Sequence, residues 1–288
     1  MVDRKLEILQ NNLDACAKER HFFLLENNKQ IYCVEYLPDE NLKRNIGVIL
    51  CKPIWGERIR THSIFTNLAR ELASIGFTII TCDYYGDGNS GGETTELSFS
   101  SMVNDIVSLN KYLIKNYQIK EFVVLGLLIG ANVAAIAEKK ITGIEKMVLF
   151  EPQLNPIDNM KKILRTNLSS QMVVHKKIIK NREKLIEDLK NNIPVNVDGF
   201  MMSKDFWESY ENISPFKLEH TFNGPVSIFS FVKKGRKGKD YADIVSQFAN
   251  GKFKTIEQEF DWTGWKSHIP TPLVFFKVIR DELLNLYE

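Results

Sequence analysis

The sequence predicts an α/β fold, in which a mostly parallel sheet is covered by helices on both faces and carries an inserted helical cap. Through the first 150 residues, short apolar runs typical of buried strands alternate with amphipathic helical segments. One such strand turns at Gly126 and enters a helix near Gly130. Beyond residue 155 strand-like runs become rare and helical patterns dominate. We therefore expect residues 1–154 and 221–288 to form one α/β core and residues 155–220 to form the cap.

Each element of the core follows from its own pattern. Residues 21–25 and 31–36 flank a polar turn and predict a β-hairpin. A continuous apolar run predicts each buried strand, and apolar residues at helical spacing predict each helix. The further strands are predicted at 46–51, 77–82, 122–125, 146–150, 225–232 and 253–260. The helices are predicted at 3–19, 63–75, 99–116, 130–140, 172–190 and 272–286.

Composition narrows the class of protein. The chain has 288 residues, of which 44% are hydrophobic and 26% charged, as in a soluble globular protein. A net charge of +2 gives no overall reason to expect nucleic acid as a partner. The four cysteines are far apart, which suits reduced thiols in the cytoplasm. An apolar leader and a run of 18 apolar residues are both missing from the sequence, so we expect a cytoplasmic protein without a membrane span.

Three segments carry the chemical information. A loop at 52–56 follows the first parallel strand, and a glycine-rich turn at 83–92 follows the next. The glycines of this turn allow positive φ angles, and Asp83 can accept backbone hydrogen bonds there. The third segment is the strand–turn–helix unit with Gly126 and Gly130. The sequence contains neither a phosphate-binding Gly-Lys-Ser/Thr ending nor a His/Cys cluster at metal-ligand spacing, so we expect no cofactor and no metal.

In order and spacing, these three segments resemble the α/β-hydrolases. In that superfamily the strand–turn–helix unit is the nucleophile elbow, and its central residue is normally serine. Here the central residue is Leu128, which has no group that can attack a carbonyl. The resemblance therefore implies a hydrolase scaffold that cannot form an acyl-enzyme at the elbow.

Within the superfamily, the chain is most similar to the second type of exosortase-A-system-associated hydrolase, found with bacterial exopolysaccharide genes. That family also lacks serine at the elbow. Lys52 stands where the family has histidine, and Leu128 where it has arginine, so the roles of those two side chains do not carry over. The resemblance implies a bacterial exopolysaccharide or secondary biosynthetic pathway. It rests on residues 52–57, 126–131, 194–203 and 264–266.

The superfamily pattern also identifies candidate acid–base residues. His268 follows the last strand, where a catalytic histidine is normally placed. Asp240 lies in the acid position after the strand at 225–232, and Glu151 lies in the alternative acid position. A histidine–carboxylate pair can act as a general base without a serine. Each residue also has a structural interpretation: His268 as the approach to the last helix, Asp240 as a solvated loop residue and Glu151 as a loop carboxylate.

A second group of residues is placed to bind a ligand. Ile54 or Trp55, together with Ile129, can supply backbone N–H groups of the oxyanion type. Glu57 and Arg60 follow the same loop and can overlook the pocket, or they are ordinary first-turn charges of a helix. Trp265 can line the pocket, or it is part of the core.

These residues lead to three functional hypotheses. The first is a protein with a degenerate elbow that binds an acyl, ester or saccharide-linked small molecule. The second is an active hydrolase, lyase or acyl transferase that uses His268 with Asp240 or Glu151 as a general base. The third is an interaction protein that works as a homodimer or with a partner protein of its pathway.

Overall fold

The computed structural model describes residues 18–212, 220–233, 235, 238–258 and 273–285. The strands are β1 (Lys18–Glu26), β2 (Lys29–Leu37), β3 (Ile46–Cys51), β4 (Thr78–Cys82), β5 (Glu121–Leu127), β6 (Ile144–Phe150), β7 (Val195–Val197), β8 (Phe200–Met202), β9 (Pro225–Val232) and β10 (Asn250–Glu257). The helices are α1 (Trp55–Ser74), α2 (Phe99–Tyr117), α3 (Ile129–Ala137), α4 (Pro156–His175), α5 (Arg182–Lys190), α6 (Lys204–Asn212), α7 (Ala242–Val245) and α8 (Leu273–Leu284).

Eight strands form one sheet in the order β1-β2-β4-β3-β5-β6-β9-β10. The pairs from β4 to β10 are parallel, whereas β1 pairs with β2 and β2 pairs with β4 in the antiparallel direction. Since the carboxyl ends of the parallel strands meet at one edge, the loops after β3, β5, β6 and β9 gather there. The predicted α/β class with a mostly parallel sheet is confirmed.

Two apolar clusters hold helices against the two faces of the sheet. Every residue of β3 and of β4 is buried, as expected for central strands covered on both sides. One cluster contains side chains of α2, α3 and the cap, such as Phe99, Val133 and Phe206. The other contains side chains of α1 and α8, such as Phe65 and Phe275.

Two predicted helices differ from the structure by more than a few residues, and the helix predicted at 3–19 lies outside the described residues except for 18 and 19, which belong to β1. The first helix begins at Trp55 and not near residue 63, because Trp55 and Thr61 are already buried along its inner face. The predicted helix over 172–190 is two helices. It is interrupted because Lys176 adopts a left-handed conformation (φ 58°) and Asn181 caps α5 by accepting a hydrogen bond from the Lys184 N–H at 3.0 Å.

Between β6 and β9 the chain forms α4, α5, α6 and the short antiparallel hairpin β7–β8, which the sequence patterns missed. This segment is tied to the core next to α2, where the Phe99 N–H donates to Ser209 Oγ at 3.0 Å and the Met201 N–H donates to Thr94 Oγ1 at 3.1 Å. The cap boundaries at 155 and 220 stay a prediction. Of the described helices, none is long and apolar enough to cross a membrane.

Candidate functional site

The turn between β5 and α3 is held by two glycines that permit very close packing. A Cβ at Gly130 would overlap the carbonyl oxygen of Cys51 on β3, and one at Gly126 would overlap the Gly130 carbonyl. Leu128 lies at the bend with φ 54° and ψ −125°, and its N–H donates to the Phe150 carbonyl at 2.9 Å. The strand therefore leaves the sheet sharply and α3 starts directly beneath the bend.

Backbone strain is concentrated at this edge of the sheet. Trp55, Leu128 and Glu151 have φ angles of 52°, 54° and 47°. They lie after β3, β5 and β6, which are neighbours in the sheet. A residue other than glycine in this conformation costs about 1–3 kcal/mol and persists where the surroundings enforce it, often at functional sites. Three such residues on adjacent loops mark this edge as the candidate site.

The loop after β3 is fixed by buried charges. Lys52 Nζ donates to Asp83 Oδ1 at 2.7 Å, and the two side chains are 7% and 4% exposed. Burial opposes ionisation of Asp83, but the Lys52 charge and its hydrogen bond outweigh that effect and lower the pKa of this carboxyl. Arg58 Nε donates to Asp87 Oδ2 at 3.0 Å. The loop is thereby locked to the glycine-rich turn that follows β4.

Trp55 of this loop contacts both the glycine-rich turn and the cap. Its backbone N–H faces Asp87 Oδ2 at 3.4 Å, a long contact. Its indole ring packs on Phe206 of the cap with centroids 4.9 Å apart. The Trp55 N–H, one of the two predicted oxyanion donors in this loop, therefore points at the Asp87 carboxylate. Ile54 and Ile129 lie at the N-terminal ends of α1 and α3, where the first N–H groups have no partner within the helix.

Glu57 is a carboxyl group of this loop that can exchange a proton at neutral pH. Its side chain is partly exposed but closely surrounded by protein, and burial raises its pKa from 4.5 to about 7, although Arg60 and Lys239 oppose the shift. The Glu57 charge in turn reaches Tyr210 of α6, whose pKa is raised first by burial and then by this carboxyl. Glu57, Lys239 and Tyr210 therefore bring together α1, the segment after β9 and the cap.

Glu151 anchors the segment that follows β9. Its buried carboxylate accepts hydrogen bonds from Ser230 Oγ and the Phe231 N–H, both at 2.7 Å, from Lys239 Nζ, and from Tyr241 Oη at 3.3 Å. These four donors occupy both carboxylate oxygens. Lys239 thus stands between Glu151 and Glu57. Tyr241 has no sequence signal, whereas Lys239 ends a run of five basic residues within 233–239, directly after the strand at 225–232.

Asp240 takes no part in this group of contacts. Asp240 is exposed, and its Oδ1 accepts a hydrogen bond from the Ala242 N–H at 2.9 Å at the start of α7. His268 and Trp265 lie outside the described residues. Arg60 Nη1 and Asp198 Oδ2 approach the same side of Gly56, within 3.7 Å and 3.5 Å of the point where a Cβ would lie.

A polar hydrogen-bond pair connects the elbow helix to the loop after β6. Asn132 is fully buried and bonds both the N–H and the carbonyl of Gln153, at 2.8 and 2.9 Å. Tyr210 Oη of the cap donates to Gln153 Oε1.

Burial raises the pKa of the Cys33 thiol to about 12 and also raises the pKa of Cys51 and Cys82, so these three thiols stay protonated and unreactive. In the described part of the chain, no three His, Cys, Asp or Glu side chains are grouped to hold a metal.

A known protein family matches the part of the chain that contains the elbow. A family model described as "Serine aminopeptidase, S33" matches residues 58–209, which include the elbow. No curated protein matches the chain.

Several solved structures share the fold. Est1E from Butyrivibrio proteoclasticus, solved with ferulic acid bound, has a TM-score of 0.64 at 14% identity, covering 93% of this chain and 98% of its own. An esterase from Pyrococcus furiosus has a TM-score of 0.63 at 14% identity, covering 96% and 94%. Proline iminopeptidase from Mycobacterium smegmatis has a TM-score of 0.55 at 14% identity, covering 93% and 98%. At these identities the likeness shows the α/β-hydrolase fold.

Proposed function

The chain belongs to the serine aminopeptidase S33 family of the α/β-hydrolase superfamily, and from this premise we propose that it binds a small acyl, ester or saccharide-linked molecule without forming an acyl-enzyme. The observation that carries the proposal is Leu128, which lies at the bend of the elbow with φ 54° and a side chain that is buried against the core. A leucine side chain offers neither a nucleophile nor a proton acceptor.

The surroundings of the elbow support a ligand. Arg60 and Lys239 supply positive charge, and Glu57 supplies a carboxyl group with a pKa of about 7. Ile54 and Ile129 offer backbone donors from two helix N-termini, which favour a carbonyl or carboxylate oxygen. The esterase neighbours, one of them named with ferulic acid, suggest an ester or an aromatic acid as the ligand class. The resemblance to exosortase-associated hydrolases suggests a role in bacterial exopolysaccharide or secondary biosynthesis, and the scattered cysteines suggest the cytoplasm as its place.

An activity-based probe tests the chemical part of this proposal. We expect that a fluorophosphonate leaves every serine of the native protein unlabelled, because the elbow holds no serine. An active serine esterase treated in parallel is the positive control, and the heat-unfolded chain reports background reaction. Stoichiometric labelling of any one serine, located by peptide mass spectrometry, would refute the proposal that acyl-enzyme chemistry is lost.

Binding is tested separately. A panel of hydroxycinnamates, short acyl esters and uronic acids is screened by thermal shift, and each hit is titrated calorimetrically. We expect Glu57→Gln to weaken a hydroxyl-bearing pocket ligand by about tenfold at pH 8, since an ionised carboxylate accepts hydrogen bonds from ligand hydroxyl groups more strongly than an amide does. Glu208→Gln, at a half-exposed site on α6, is the matched control and leaves the affinity unchanged. If the ligand has the same affinity for both variants, it binds outside this pocket.

A second candidate function is proton transfer on the bound molecule. Glu57 favours it, because a group with a pKa of about 7 can accept and release protons near neutral pH. The predicted alternative uses His268 with Asp240 or Glu151 as the general base. If any ligand of the panel is turned over, the rate measured against pH for Glu57→Gln and for His268→Asn separates the two. Loss of activity in only one variant assigns the base, and unchanged rates in both exclude this function.

A further inference from the structure

The connection between α4 and α5 exposes an unusual set of apolar side chains. We call residues 172–180 the cap tip. Residues 172–179 are all exposed, although five of them are large and apolar. Their exposed fractions are 47% for Met172, 70% for Val173, 69% for Val174, 51% for Ile178 and 58% for Ile179. Several apolar side chains exposed side by side on a soluble protein mark a surface that contacts another apolar phase.

The apolar surface extends beyond the cap tip itself. Ile193 is 50% exposed and follows α5. Together with His175 and Ile179 it lines a cavity of about 260 Å³ between α4, α5 and residues 193–196. Ile179, before α5, and Ile193, after it, therefore line the same cavity.

The charge of this region has one sign. Between Asp158 and Glu183 the chain contains no acidic residue. The same stretch contains seven basic residues besides His175: Lys161, Lys162, Arg165, Lys176, Lys177, Lys180 and Arg182. His175, Lys176 and Lys177 are exposed and lie between the two apolar pairs Val173–Val174 and Ile178–Ile179. Lys180 pairs with Asp188 at 2.6 Å, so the rest of the cap tip carries the positive charge outward.

We propose that the cap tip docks the protein on an anionic lipid surface. Valine and isoleucine side chains flanking a lysine turn match the boundary between headgroups and acyl chains, where the apolar groups enter the bilayer and the ammonium groups meet lipid phosphates. The cap tip binds at the membrane surface, and no helix in the described part of the chain is long and apolar enough to cross the bilayer. This inference stands apart from the proposed ligand pocket, because no residue of the cap tip contributes to that pocket.

The composition favours lipid over the two other occupants. A second copy of the chain would bring two positive tips together and would be repelled. The centres of protein–protein interfaces are rich in aromatic residues and arginine and poor in lysine. The cap tip contains no aromatic residue and no arginine, and its charge comes from lysine and histidine.

Vesicle co-sedimentation tests the proposal with the intact chain. Two lipid compositions are compared: phosphatidylcholine alone, and phosphatidylcholine with about 30 mol% phosphatidylserine. We expect the wild-type protein to partition about tenfold more onto the anionic vesicles and to be released by salt. A fourfold serine variant (Val173→Ser, Val174→Ser, Ile178→Ser, Ile179→Ser) removes the apolar groups. A charge variant (Lys176→Glu, Lys177→Glu) reverses the charge. All six side chains are exposed, so both variants keep the fold, which circular dichroism verifies.

Two matched controls alter equally exposed residues elsewhere. Phe23→Ser with Leu25→Ser changes apolar residues of β1 that are 53% and 68% exposed, and Lys111→Glu with Lys115→Glu changes exposed lysines of α2. Loss of binding in both tip variants, with binding kept in both controls, supports the proposal. Wild-type protein that stays in the supernatant, or a serine variant that binds as wild type does, overturns it. Concentration-dependent dimerisation that only the tip variants abolish also overturns it and assigns the surface to self-association. Probe labelling and ligand titration need no vesicles, so either proposal can fail alone.

Discussion

The elbow after β5 and the loop after β3 place the same kind of strained residue by different means. Leu128 and Trp55 have φ angles of 54° and 52° at neighbouring positions along the carboxyl edge of the sheet. At the elbow, missing side chains at Gly126 and Gly130 allow the backbone to pack closely. At the loop, the pairs Lys52–Asp83 and Arg58–Asp87 hold the chain. A bend held by close packing does not depend on the side chain at its apex, and the elbow can therefore keep its shape with leucine in place of serine.

The largest expected effect comes from filling the space under the elbow. Gly130→Ala places a Cβ against the carbonyl of Cys51, which is backbone within the central strand and cannot move aside. We expect the free energy of unfolding to fall by at least ~3 kcal/mol, measured by urea denaturation. Gly91→Ala is the control, because its new Cβ would have 3.5 Å to the nearest atom, and we expect a change within about 0.5 kcal/mol. Equal stability of the two variants would mean that close packing does not set the elbow.

Breaking the buried ion pair of the other loop should have the next largest effect. Lys52→Met leaves Asp83 buried without its main partner, and we expect a loss of about 3–5 kcal/mol. The paired carboxyl has a lowered pKa, so its contribution to stability is present above the pKa of the unfolded chain and disappears as the pH falls. The variant should therefore lose this part of the acid sensitivity. Lys204→Met breaks a half-exposed pair with Glu208 and should cost less than ~1 kcal/mol. If Lys52→Met lowers the free energy of unfolding by no more than Lys204→Met does, the buried ion pair does not hold the strained loop.

The smallest expected effect concerns Glu57, a carboxyl group beside the same loop on which burial outweighs the charges of Arg60 and Lys239. The pKa of Glu57 is raised from 4.5 to about 7, so its ionisation opposes folding as the pH rises through that interval. We expect Glu57→Gln to match the wild type at pH 4 and to be more stable by about 1–3 kcal/mol at pH 8. Thermal denaturation at both pH values, with Glu208→Gln as the control, measures the difference. A gain that is the same at pH 4 and pH 8 would exclude ionisation as its cause.

The sequence was sufficient for the parts of the fold that depend on local patterns. Uninterrupted apolar runs identified β3 and β4, and the spacing of Gly126 and Gly130 identified the elbow, because both patterns reflect packing within a few residues. The start of α1 was missed, since Gly56 resembles a loop residue and the burial of Trp55 depends on the cap. The break at Lys176 was missed because a lysine gives no local signal for a left-handed conformation.

The candidate site was less predictable, because its contacts join distant parts of the chain. The position of Glu151 after a strand predicts a candidate acid, but its partners lie about 80 to 90 residues later, where they depend on the register of β6 with β9. Lys52 was recognised as a departure from histidine, whereas its partner Asp83 is 31 residues away. The roles of His268 and Trp265, which lie outside the described residues, stay predictions.

The two outermost strands of the described sheet affect how the protein behaves when it is concentrated. β1 opens with Lys18, Glu19, Arg20 and His21, and β10 carries exposed Lys252 and Lys254. An outer strand that offers charged side chains to solvent is a poor template for a strand from another molecule. The charged start of β1 and the lysines of β10 should therefore oppose strand addition in crowded solutions, whereas exposed Phe23 and Leu25 leave the second half of β1 as the place where it would begin.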